Sequence, residues 1–202
     1  MPHLLPEHRS FQHETDRLLR LLSSTTTIGA EHRRVIAEII HLRLAILVEN
    51  HLKIIFGKIC CATRYLDGTV PHLQGVNQRS IAATYAAMKT HNRTREYNTS
   101  WNDAPSIRRG VEHLIDPTDH CIRTLLNYSA FLTEIRYVRN HIAHRNDGTR
   151  RNFRTLLRRY YGAVPHGITS GILLLSERVS RPPLIEVNII TARVLIKNLV
   201  KG

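Results

Sequence analysis

Hydrophobic positions recur along most of the 202 residues at the three-to-four-residue spacing of a helix. The clearest run is Ala30–Leu66, where Val35, Ile36, Ile39, Ile40, Leu44, Ile46, Leu47, Val48, Leu52, Ile55, Phe56 and Ile59 point in nearly every direction. A helix apolar all round belongs at the centre of a bundle. Asp67-Gly68 supplies its stop signal. Shorter helices fit Phe11–Ser23, Arg79–Lys89 and Ser106–Leu114, with polar, turn-rich sequence between His91 and Asp103. Asp116 as N-cap, Pro117 in the first position and Asp119 in the first turn begin a helix that should run to about Arg145. Asn146-Asp147-Gly148 would end it, Thr149–Tyr161 would form the next, and Pro182-Pro183 opens a last one through about Val200. In Ile168–Leu175 the pattern does not separate strand from helix. The chain therefore reads as all-α: one domain spanning residues 1–202, a helical bundle of five to six helices without an internal linker.

Charge then narrows the partners. Lys and Arg outnumber Asp and Glu by 29 to 16, a formal +13, so a polyanion is the expected partner, nucleic acid before an anionic membrane. A merely solvated basic surface is the plain alternative. The greasy stretch Ile39–Cys61 is interrupted by Arg43, Glu49, His51, Lys53 and Lys58, which suits a core helix and not a membrane span. Met1–Ser10 lacks the apolar run of a secretory leader, and Cys60, Cys61 and Cys121 do not all pair. A reducing cytoplasm is the expected location.

The chemistry concentrates in Arg139-Asn140-His141-Ile142-Ala143-His144. Arginine is a planar cation suited to phosphate, and histidine is the side chain that titrates near neutrality. At about 100° per residue, Tyr128, Phe131, Leu132, Ile135, Val138 and Ile142 share one side of their helix. Leu126, Thr133, Asn140 and His144 lie nearly opposite, with Tyr137 nearby, so the polar groups face away from the subunit's own core. Arg139 lies closer to the packed side and would reach round with its long side chain. An Arg and a His at a helix C-terminus also suit the dipole of the last turn, a purely structural explanation.

The motif Arg139-Asn140-x-Ile142-Ala143-His144 resembles the Arg-polar-x-x-x-His signature of HEPN (higher eukaryotes and prokaryotes nucleotide-binding) domains, many of which are metal-independent ribonucleases. The resemblance is specific over about thirty residues around the motif and extends loosely to the helical layout. It implies a HEPN-like bundle, a homodimer in which two signatures meet in one cleft, and RNA as substrate. Arg139 would stabilise the scissile phosphate, His144 would act as acid or base, and Asn140 would orient them. Products would be a 2′,3′-cyclic phosphate and a 5′-hydroxyl, with no cofactor. Glu49 is a further candidate, an acid on an earlier helix that would pair with Arg139, although Lys53 at i+4 is an ordinary alternative partner. A toxin or defence role, with an antitoxin or regulatory protein as partner, belongs to the same implication.

Arg136, Arg145, Arg150, Arg151, Arg154 and Arg158 crowd around the motif as candidate RNA-backbone contacts. Tyr160 and Tyr161 suit either base stacking or packing. Thirteen histidines include no recognisable metal-ligand set, and glycine-rich phosphate loops are missing, so no metal is expected. Two competing functions remain: an inactive HEPN-like module binding RNA or protein, and a helical DNA-binding regulator, for which no helix-turn-helix pair is evident.

Overall fold

An apolar run as long as that after Ala30 stays out of water only if other helices cover it. In the computed structural model, which describes residues 3–93, 99–177 and 182–202, α1 (Leu5–Ser24) precedes that run and packs on it. The run itself is α2 (Ala30–Cys60), which also touches α3 (Ile81–Arg93), α6 (Ser129–Ala143), α8 (Ser170–Leu175) and α9 (Leu184–Lys201). With α4 (Ala104–Val111), α5 (His120–Asn127) and α7 (Asp147–Tyr161), the described residues hold nine helices. They contain no strand, only single bridges between His3 and Arg64 and between Leu73 and Ile115. One apolar core, including Phe11, Leu44, Phe56, Ile107, Leu125 and Ile189, joins them.

The all-α expectation stands, whereas the count of five to six helices does not match. One extra element arises because the single helix expected from Asp116 is two, α5 and α6. Asp116 instead accepts from the backbone and hydroxyl of Thr118 at 2.7 and 2.6 Å, closing a local turn. Asp119 is the true cap of α5, accepting from Cys121 N at 2.8 Å. It is buried, and accepts also from His72 N and the Tyr65 hydroxyl, so it binds the 61–80 segment to α5. At Tyr128 the backbone leaves helical geometry for one residue before α6 begins.

The central helix stops six residues before Leu66. Ala62 takes φ 57°, Ala62 N donates to Ile59 O at 2.8 Å, and Thr63 N donates to Lys58 O at 3.1 Å. That pair of bonds is a Schellman termination with alanine in the left-handed position usually held by glycine. Asp67-Gly68 does turn, at φ 88° for the glycine, but in the segment that follows, where Leu66 N and Asp67 N donate to the last carbonyls of α9. The ambiguous run 168–175 proves to contain α8, capped by Thr169. Gly171 sits where a Cβ would come within 2.7 Å of the Arg34 carbonyl, and this absence of a side chain lets α8 lie against α2.

Not every apolar residue of α2 is covered. Val35, Ile39 and Ile46 remain 53, 54 and 52 % exposed, and with half-buried Leu42 they follow a 4-3-4 spacing along one open stripe. No helix of the described residues is long and apolar enough to cross a membrane.

Candidate functional site

The signature occupies the corner of a helical hairpin. Leu132, Ile135 and Val138 bury one side of α6, with Phe131 and Ile142 half-buried beside them. Glu134 and His141 meet α7 on one flank, where Glu134 accepts from the Tyr160 hydroxyl at 2.7 Å and pairs with Arg159 at 2.6 Å. Arg136 faces the other flank and pairs with Asp103 at 3.2 Å. Asn140 is half-buried between these flanks, and His144 is exposed just past the end of the helix.

His144 is the C-cap of α6, its N–H donating to Asn140 O at 2.8 Å and its backbone already extended at φ −139°, ψ 100°. Two residues later Asn146 caps α7 by accepting from Thr149 N at 2.9 Å, so Asn146-Asp147-Gly148 starts a helix where a stop was expected. The Thr149 hydroxyl donates back to the His144 carbonyl. This tie fixes the backbone of the histidine while leaving its imidazole exposed, with no ring hydrogen bond among the described residues. Arg139 is half-buried, and its Nη1 donates to Asn140 Oδ1 at 2.9 Å. That bond carries the guanidinium round from the packed side towards the open one. Two of the three signature side chains are thus coupled directly, and the third stands one turn away.

Glu49 is not part of this group. It accepts from Asn102 Nδ2 at 2.7 Å, and among the described residues it forms an ion pair with neither Arg139 nor Lys53. Lys53 lies over the Tyr85 ring instead. Tyr137, expected on the partner-facing side, is half-buried against the core with the Arg136 guanidinium 5.6 Å from its ring centre.

The arginine cluster divides according to acid partners. Arg136, an expected RNA contact, is committed to Asp103, and Arg159 to Glu134. Arg150 has only the exposed Asp147 at 3.7 Å. Arg145, Arg151, Arg154 and Arg158 are exposed and make no ion pair among the described residues. The chain matches no protein-family model, no curated protein and no solved structure.

A groove of about 440 Å³ that the sequence does not announce opens beside the signature, between α7 and residues 164–168. Arg150, Arg154 and Arg158 line one wall, His141 and His166 the ends, and Phe153 and Ile168 part of the floor. His141 stacks on Phe153 with ring centres 4.1 Å apart and 4° between planes. Burial lowers the His141 pKa, helped by the charges of Arg145 and Arg150, so the ring is neutral at pH 7. The available sequence signal was the pair Gly162 and Gly167, both with positive φ, bracketing Val164-Pro165-His166. Among the described residues no group of three His, Cys, Asp or Glu is placed to hold a metal ion.

Proposed function

We propose that this chain is a HEPN-type endoribonuclease that cleaves RNA by internal transesterification at a cleft formed by two copies. The observation that carries the reading is the exposed His144, at the end of α6, one turn from the hydrogen-bonded Arg139–Asn140 pair. RNA brings its own nucleophile, so such a site need only position it, move two protons and stabilise the phosphorane. One imidazole would take the proton of the 2′-hydroxyl as its oxygen attacks phosphorus. The imidazole of the second copy would protonate the departing 5′-oxygen as the P–O bond breaks. Arg139 would hold the non-bridging oxygens, with Asn140 fixing its direction. A single subunit offers one such histidine, which is why the reading requires a pair. The exposed stripe of Val35, Ile39 and Ile46 supports pairing, because apolar area of this kind is stabilised by a partner. Cleavage of cellular or invading RNA, as a toxin or defence effector restrained by an antitoxin-like protein, is the corresponding biological role.

A second reading, a binding module without catalysis, is favoured by one observation: among the described residues no side chain orients the His144 ring. Variants separate the two. With excess chelator present, Arg139→Ala and His144→Ala should each lower single-turnover cleavage by roughly 10²–10⁴-fold with unchanged helix content. RNA that is bound equally by all three proteins and cut by none would establish the module.

A further inference from the structure

The groove beside the signature has the composition of a ligand site. Its floor is apolar, from Phe153, Leu157, Val164, Pro165 and Ile168. Its wall carries three guanidiniums at i, i+4 and i+8, about 6 Å apart along α7. Like charges at this spacing oppose the helix, and among the described residues only Arg150 of the three forms an ion pair, with the exposed Asp147 at 3.7 Å. An anion seated between them would relieve that repulsion. His141 is held neutral at one end with its Nδ1 buried and unbonded, so a polar group is lacking there too. Gly162 ends α7 in the left-handed conformation, Gly167 repeats it, and the chain between them folds back to close the far wall. At about 440 Å³ the space is within the range of sites for small organic ligands.

We infer that this groove binds a nucleotide, with the phosphate on Arg150, Arg154 and Arg158 and the nucleoside against the half-buried Pro165 and Ile168, beside His141 and His166. Arginines supply bidentate donors to phosphate oxygens, and the apolar floor accepts the flat base. An inorganic anion would satisfy the wall and leave the floor wet, so a nucleoside phosphate should be preferred over phosphate alone. The nucleotide comes either free or as one residue of an RNA strand whose scissile bond lies at the signature. The inference goes beyond catalysis, since binding in the groove requires neither Arg139 nor His144 to react.

The test reads binding alone. Wild-type chain is titrated with inorganic phosphate, with each nucleoside 5′-monophosphate, and with a short 2′-O-methyl RNA that is not cleavable by this chemistry. The proteins compared are wild type, Arg154→Gln, Arg158→Gln and, as an exposed control on the same helix outside the groove, Arg151→Gln. All three substitutions lie on exposed side chains, so folding is retained and is checked by circular dichroism. Each groove variant should lose about tenfold in affinity for the probe that binds, and the control no more than about twofold. The His141 ring signals in NMR should shift with the same midpoint. Monophosphates that bind mark the groove as a site for free nucleotide; binding by the oligomer alone marks it as a subsite of the strand. Equal losses in Arg151→Gln and the groove variants, binding of phosphate as tight as that of nucleotides, or no probe bound would overturn the inference. Because no probe is cut, such a failure leaves the proposed cleavage untouched, and inactive His144→Ala protein that still binds in the groove would leave this inference standing.

Discussion

His41 is fully buried within α2, where its Nε2 donates to the Ile135 carbonyl at 3.2 Å and its Nδ1 has no hydrogen-bond partner among the described residues. Burial pulls its pKa down to about 4 from 6.5, and the bond to Ile135 offsets only part of that. Between those values the unfolded chain binds a proton that the folded chain refuses. The stabilisation is complete above about pH 6.5 and is lost as pH falls towards 4, on the order of 3 kcal/mol in all. Urea midpoints measured from pH 7.5 to 4 should fall for wild type and fall less steeply for His41→Leu; parallel slopes would contradict this assignment. The residues of the candidate site divide the same way between what is local and what is not. The spacing puts Asn140 and His144 one turn apart, and the backbone N–H of His144 does donate to Asn140 O, but the imidazole leaves from an extended C-cap that spacing does not show. Arg136 and Arg159 could not be told from their neighbours, because Asp103 and Glu134, which neutralise them, come from distant parts of the chain. The partner that Glu49 does meet, Asn102, likewise lies far along the chain, just before α4.

At the level of elements, hydrophobic periodicity locates the helix bodies, whereas their ends depend on contacts and on which of several capping residues is used. The start of α2, the body of α7 and the helix after Pro182-Pro183 follow from local pattern. No glycine or proline marks the break at Tyr128, where the backbone N–H is shared between Thr124 O and Leu125 O and the hydroxyl accepts from Asn198 of α9. Nor does anything local mark the end of α2, since the left-handed residue there is Ala62 and not glycine. That conformation strains an L side chain, and glycine would relieve it at some entropic cost. Ala62→Gly should therefore raise stability by roughly 0.5–1 kcal/mol, read as a higher urea midpoint at unchanged slope. A lower midpoint would show that the alanine methyl contributes packing that outweighs the strain.

The whole molecule combines a charge of +13 with an apolar stripe on its longest helix. The first feature suits a polyanion, and the second suits a partner that covers Val35, Ile39 and Ile46. If that partner is a second copy, the double variant Ile39→Glu/Ile46→Glu should sediment as a monomer with intact helix content and lose cleavage with it. A wild type already monomeric at working concentration, or a variant that keeps its mass, would remove the composite cleft. The sequence pattern makes α2 apolar on every side, and only tertiary packing decides that Val35, Ile39 and Ile46 are left uncovered. The most direct test of the central claim is the chemistry of the cut ends. Purified protein is incubated with RNA in excess chelator, and the new termini are identified by mass spectrometry. The account predicts 2′,3′-cyclic phosphate and 5′-hydroxyl ends, absent with His144→Ala; intact RNA, 3′-hydroxyl ends, or cutting that persists without the His144 imidazole would contradict it.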